Sequence, residues 1–248
     1  MSQDSGRVAL VSGGSRGIGA ATVRQLAADG WDIGFCYRDD GLSAREVEKA
    51  ASEFGVRVVG TDVDVTDAAE VTSWFRLTEE ELGPVRAVVT CAGITREQPL
   101  ARLEEAEWQM MLDTILEGVY HLCRAAVFAM MARQSGQIVT VSSVCWEYDH
   151  RQSARSELAR PGIGGFVRAL AIQTRRLGIR VNAVTPGPSV RDLAALLPER
   201  PRADLAETIA LRRFDRAVDV ADVVASLLSR DAPDLTGRVL EVPSTVML

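Results

Sequence analysis

Apolar runs rich in β-branched residues alternate along this chain with stretches whose apolar positions recur at helical spacing. The first pattern marks strands buried on both faces and the second marks amphipathic crossover helices, so their alternation reads as repeated βαβ units around a parallel sheet. Strands are predicted at Arg7 to Ser12, Trp31 to Arg38, Val56 to Asp62, Val85 to Cys91, Gly136 to Ser143, Ile179 to Thr185 and Arg238 to Val242. Helices are predicted at Gly17 to Asp29, Ser43 to Phe54, Ala68 to Leu82, Glu104 to Arg133 and Asp219 to Ser229. The fold class that follows is α/β, a doubly wound sheet of seven parallel strands.

Pro198 and Pro201 interrupt the segment Pro188 to Phe214, which has no clear period. In a doubly wound sheet the chain after the sixth strand lies above the carboxyl edge, where ligands bind. Residues 188–214 therefore read as a substrate lid or as a surface excursion. No linker or shift of composition divides the 248 residues, and a single domain over 1–248 is expected.

Composition narrows the function classes. A net charge of −6 and a pI near 5.1 leave no broad basic face for nucleic acid. No apolar run approaches the length of a membrane span, and the segment Met1 to Arg7 lacks the basic start and apolar stretch of a signal peptide, so a cytoplasmic protein is expected. Cys36, Cys91, Cys123 and Cys145 are widely spaced, with no C-x-x-C pair to suggest a metal site, and read as reduced thiols. Lys49 is the only lysine.

The first chemical motif is Ser12-Gly13-Gly14-Ser15-Arg16-Gly17-Ile18-Gly19, placed between the first strand and the first helix. Glycines let the backbone turn sharply and approach a pyrophosphate, and the helix start offers N–H groups and a favourable dipole. Arg38 ends the second strand, where an acidic residue would grip a ribose 2′-hydroxyl, and Arg16 lies in the loop itself. Two guanidiniums there favour a 2′-phosphate, hence NADP(H) over NAD(H). The alternative, a solvated Arg38 balanced by the neighbouring Asp39 and Asp40, stays open.

The glycine loop, Asp64-Val65-Thr66-Asp67, Cys91-Ala92-Gly93-Ile94-Thr95, Ile138 to Ser143 and Arg180 to Gly187 follow one another as in the short-chain dehydrogenase/reductase family, a Rossmann-type fold. The chain resembles most the β-ketoacyl-ACP reductase branch, over nearly its whole length, and its relatives among polyketide ketoreductases. The resemblance implies that Gly13, Ser15, Arg16, Gly17, Ile18 and Gly19 surround the pyrophosphate side, Asp64 and Val65 the adenine, Ala92 and Gly93 the adenosine ribose, and Pro186 and Gly187 the nicotinamide. It also implies a tetramer-type assembly through the helices containing Trp108 to Arg133 and Phe166 to Leu177. Either a homo-oligomer or a hetero-oligomer with an active ketoreductase would fit, with acyl carrier protein as a further partner.

In that family a tyrosine donates the proton to the carbonyl oxygen, a lysine one turn later lowers its pKa and binds the cofactor ribose, a serine holds the carbonyl and an asparagine completes a proton relay. Here Ser143 occupies the serine position, but Ser156 stands for the tyrosine, Arg160 for the lysine and Ile115 for the asparagine. Serine is too weak an acid to replace an activated phenol, and arginine stays protonated. Thr90-Cys91 in place of Asn-Asn, Arg191 in place of a threonine and Val242 to Thr245 in place of a glycine-containing turn are further departures near the nicotinamide end. NADP(H) is therefore expected to bind weakly, in an altered pose or not at all. Pro161 suits the first position of a helix better than its interior, so the helix is expected to start near Pro161, leaving Val144 to Arg160 as a loop in which Ser156 and Arg160 share no face.

That stretch is not chemically empty. Cys145 to Arg151 includes Tyr148, Asp149 and His150, which offer acid–base chemistry on a ligand or else a solvated, partner-binding surface. His121 reads as a packing or interface residue. Three readings remain: a non-reducing subunit partnering an active ketoreductase in fatty-acid or polyketide metabolism, a repurposed cyclase or dehydratase on an acyl substrate, and an NADPH-dependent 3-oxoacyl reductase. The first leads, because the loss of the proton-transfer groups is read directly from the residues.

Overall fold

The seven expected strands form at Val8–Ser12 (β1), Asp32–Tyr37 (β2), Val58–Asp62 (β3), Val85–Thr90 (β4), Gly136–Val141 (β5), Ile179–Thr185 (β6) and Val239–Glu241 (β7), all parallel and in the order β3-β2-β1-β4-β5-β6-β7. The computed structural model describes residues 6–93, 102–142, 154–187, 215–229, 232 and 234–242, and of residues 154–160 the backbone alone. Winding reverses between β1 and β4, which opens a crevice at their carboxyl ends.

Every residue of β1 is buried, because helices cover both faces of the sheet. On one face α1 (Gly17–Ala28), α2 (Gly41–Ser52) and a last helix at Ala217–Leu228 pack over Ala9, Val11, Val89, Val139 and Val184. On the other, α3 (Ala68–Leu82), α5 (Gly118–Met131) and α6 (Ala154–Thr174) pack over Leu10, Val88, Ile138, Val181 and Ala183. The alternation along β5, β6 and β4 from Ala87 onward assigns each side chain to one of these two layers. Asp67 caps α3 by accepting hydrogen bonds from the N–H groups of Ala69 at 2.7 Å and Glu70 at 3.1 Å.

Two helix expectations are corrected. The stretch read as one helix from Glu104 to Arg133 is α4 (Glu105–Leu112), a π-helical segment at Asp113–Glu117 and α5 in succession. The wide turn carries Ile115, and such insertions inside helices concentrate at functional sites. More consequentially, α6 does not start near Pro161 but at Ala154, and Pro161 lies inside it. Positions 156 and 160 therefore stand one turn apart on a continuous helix, as the i, i+4 spacing requires. Proline removes one hydrogen bond and crowds the preceding turn at a cost of about 3 kcal/mol, but Ala154, Arg155, Glu157, Leu158, Ala159 and Arg160 are all strong helix formers, and their propensity carries the helix through it.

Among the described residues, no helix is long and apolar enough to cross a membrane and no cluster of His, Cys, Asp and Glu could hold a metal ion.

Candidate dinucleotide site

The glycine loop turns out of β1 at Gly13, whose φ of 66° falls in the left-handed region that favours glycine. The loop re-enters a helix at Arg16, the N-cap of α1, which has no side-chain cap, so the N–H groups of the first turn are open to an anion. A Cβ on Gly19 would lie 2.1 Å from the Gly13 carbonyl oxygen, and one on Gly13 would lie 2.9 Å from Ala92 Cα. The backbone approaches itself here more closely than any side chain allows. The N–H of Gly14 donates to the Cys36 carbonyl at 2.8 Å, tying the loop to β2. These contacts fit a pyrophosphate, which needs close backbone and unspent N–H donors.

Ser12 holds the opposite wall. Its hydroxyl accepts hydrogen bonds from the N–H groups of Cys91 at 3.0 Å and Ala92 at 3.1 Å, which carries the β1–β4 junction past the strand ends and sets Ala92 and Gly93 beside the loop. This residue was not among the expected site residues. The signal was a single hydroxyl closing an otherwise apolar strand.

Both arginines stand at the rim. Arg16 pairs with Asp40 at 3.2 Å, and Arg38 pairs with Asp64 and, at 3.8 Å, with Asp39. The alternative reading of Arg38 as a charge balanced by its neighbours is thus partly realised. Both guanidiniums nevertheless remain more than 60% exposed, and exposed ion pairs are worth only about 0–1 kcal/mol, little enough for a phosphate to recruit the arginines from them. Burial opposes the charge on Asp64, but the N–H and hydroxyl of Thr66 and the Arg38 guanidinium outweigh it and hold the carboxyl below the usual carboxylate range. Hydrogen bonds from Ser43, side chain and backbone, and the nearby Arg16 do the same for Asp40. Val65 packs against Gly118 of α5, and its carbonyl lies 3.2 Å from His121 Nδ1. His121 is therefore a packing residue behind the loop expected to face the adenine.

At the far end, the Gly187 N–H donates to the buried Asp215 carboxylate at 2.7 Å and thereby anchors the Pro186-Gly187 turn. Asp215 was also missed, since it follows the irregular 188–214 stretch with no periodic signal around it. Ile115 is half-buried and packs against the core shared with Ile163 and Val167, where the resemblance implies an amide. Burial pushes the thiols of Cys36, Cys91 and Cys123 up to about 12, which favours the protonated form of all three near neutral pH. Ser143, Tyr148, His150, the 188–214 segment expected as a lid or a surface excursion and the side chains of Ser156 and Arg160 lie outside the described residues.

A family model described as enoyl-(acyl carrier protein) reductase matches residues 13–244. The 3-oxoacyl-[acyl-carrier-protein] reductase FabG of Escherichia coli (strain K12) is 34% identical over 238 residues, 96% of each chain. FabG of Staphylococcus aureus (strain Mu50) is 33% identical over 234 residues, 94% of this chain and 95% of that one. Among solved structures, a Phe-to-Trp variant of actinorhodin polyketide ketoreductase with NADPH is similar with a TM-score of 0.87 at 28% identity, covering 98% of both chains. A variant of a Serratia marcescens short-chain dehydrogenase/reductase follows with a TM-score of 0.86 at 26% identity, covering 96% of this chain and 97% of that one.

Proposed function

The chain belongs to the short-chain dehydrogenase/reductase family, and from that premise we propose that it is a ketoreductase-like subunit that binds NADP(H), does not itself reduce a carbonyl, and partners an active ketoreductase of fatty-acid or polyketide type. One observation carries this reading. The helical backbone that would present a tyrosine and a lysine is in place through positions 156 and 160, yet the residues there are serine and arginine, and the asparagine position is an isoleucine packed into the core.

When bound, the nicotinamide supplies or accepts a hydride. Hydride delivery to a ketone leaves an alkoxide that must take a proton, and a positioned general acid contributes about 10²–10⁴ in rate. A serine hydroxyl cannot act as that acid near neutral pH, and a guanidinium, which stays protonated, cannot pass a proton on. The chain's other groups still bind and orient. Gly13, Gly17 and Gly19 admit the pyrophosphate, Ser12 fixes the Ala92-Gly93 wall, and Asp215 holds the turn at Gly187.

Arg16 and Arg38 give this reading its cofactor preference. NADPH is expected to bind more tightly than NADH, and Arg38→Ala should lower NADPH affinity about tenfold or more, the worth of a charge-assisted hydrogen bond, while leaving NADH nearly unchanged. Fluorescence titration of both nucleotides checks this. Tighter binding of NADH by the unaltered protein would remove the basis for a 2′-phosphate site.

Partnership rests on an apolar stripe. Tyr120, Phe128 and Met131 are exposed along α5, with Arg124 over the Phe128 ring at 5.2 Å, and Ile172 is exposed on α6. Such patches mark interfaces. In native mass spectrometry after co-expression with a FabG-type reductase, mixed oligomers are expected, and Phe128→Asp with Ile172→Asp should leave monomers. A wild-type chain that stays monomeric beside the reductase would contradict the partnership.

A further inference from the structure

Four hydroxyls lie buried at the carboxyl ends of the three central strands beyond the switch point. Thr90 closes β4, Thr140 lies on β5, Ser142 follows β5, and Thr185 closes β6; each is no more than 4% exposed. All four fall on the face covered by α5 and α6. Thr90 alternates in step with Val88, Thr140 and Ser142 with Ile138, and Thr185 with Val181 and Ala183, and all of those residues belong to that layer. The register makes the four contiguous. Thr90 and Thr140 are directly paired across β4 and β5, and the Ser142 N–H donates to the Val184 carbonyl at 2.8 Å, which sets Ser142 beside Thr185 one tier higher.

None of the four hydroxyl oxygens has a nitrogen or oxygen hydrogen-bond partner among the described residues. The Thr140 hydroxyl has only the Cys123 sulfur to donate to, a weak acceptor that leaves the hydroxyl oxygen's own lone pairs unfilled. Leaving one buried hydroxyl unpaired costs about 1–3 kcal/mol, so four together would consume a large part of the roughly 5–15 kcal/mol by which a domain is stable. Isolated threonines in strands are ordinary, but four on one face at the carboxyl edge of the sheet are not explained by β-propensity. A buried water needs two to four polar partners, which the two tiers supply. Among the described residues no charged side chain joins the four, so the group they suit is neutral and both donates and accepts.

We propose that Thr90, Thr140, Ser142 and Thr185 line a buried site for a neutral hydrogen-bonding oxygen, either an internal water or a hydroxyl or carbonyl oxygen of an organic ligand in the crevice. The site does not depend on NADP(H) binding or on the loss of carbonyl reduction. It follows from the hydroxyls alone.

Isosteric valine replacements test it by sign. If the hydroxyls are dry and unpaired, Thr90→Val, Thr140→Val and Thr185→Val each remove an unsatisfied group, and Tm rises or stays level. If they hold an oxygen, each variant strands it, and Tm falls by about 2–6 °C for a chain of this size, with Thr140→Ser retaining the wild-type value. The source is separated on the purified full chain by oxygen-17 magnetic relaxation dispersion, which counts long-lived internal waters, and by native mass spectrometry, which detects a co-purified small molecule. A lower Tm with one or more long-lived waters lost in Thr140→Val assigns the oxygen to water. A lower Tm with a bound mass lost and the water count unchanged assigns it to a ligand. A rise or no change in all three variants overturns the proposal, and so does a fall with neither water nor mass lost.

Discussion

Gly19→Ala is expected to lower NADPH affinity by at least about 100-fold, the equivalent of two lost hydrogen bonds to a charged phosphate, and to destabilise the fold as well. An added Cβ would lie 2.1 Å from the Gly13 carbonyl oxygen, and that neighbour is backbone, which cannot rotate aside. Either α1 moves away from β1 or the loop opens, and both displace the N–H groups that would face the pyrophosphate. Overpacking of this kind costs about 1–3 kcal/mol, which for a chain of this length lowers Tm by roughly 2–4 °C per kcal/mol. Gly17→Ala is the contrasting control. Its φ of 56° makes alanine strained, but no atom lies within 4 Å of the new methyl, so it should cost about 1–2 kcal/mol of backbone strain with a smaller loss of binding. Thermal melts and fluorescence titrations of both variants distinguish the two, and equal effects would show that close packing at Gly19 is not what shapes the loop.

The second large effect concerns the missing proton donor. Restoring Ser156→Tyr, Arg160→Lys and Ile115→Asn together should bring measurable NADPH oxidation with a β-ketoacyl thioester, about 10²-fold or more above the unaltered protein, because a general acid is worth that much when held in place. Continuity of α6 decides this. Had the helix begun at Pro161, the new tyrosine and lysine would have lain on a loop, and restoration would have required Pro161→Ala as well. Since α6 runs unbroken from Ala154, the triple variant is expected to work with Pro161 retained. Activity that appears only after Pro161→Ala would contradict the continuous helix.

Much of the scaffold was legible because its signals are local and redundant. The seven strands lie within the expected runs, displaced by no more than two residues at either end, since buried parallel strands are near-continuous apolar segments. The glycine loop was legible for the same reason, as its chemistry depends on glycine itself. The start of α6 was not legible from Pro161, because the backbone penalty of a proline is finite and strong helix formers stand immediately before it. The π turn at Asp113–Glu117 leaves no mark in the 3.6-residue period. Ser12 and Asp215 act through backbone N–H groups distant in sequence, 79 and 80 residues on for Ser12 and 28 residues back for Asp215, so nothing near either residue announces the contact. Thr140 and Thr185 read as ordinary strand formers and Thr90 only as a departure from the family's Asn-Asn, and only the register shows that they share a face.

The central claim, that a working dinucleotide cradle sits in a chain without the means to complete carbonyl reduction, is tested most directly on one preparation of the unaltered protein. NADPH is titrated by fluorescence, and at a saturating concentration its oxidation is followed with a β-ketoacyl thioester. Saturable NADPH binding with no oxidation above the rate without protein is the predicted result. Turnover typical of an active ketoreductase would contradict it.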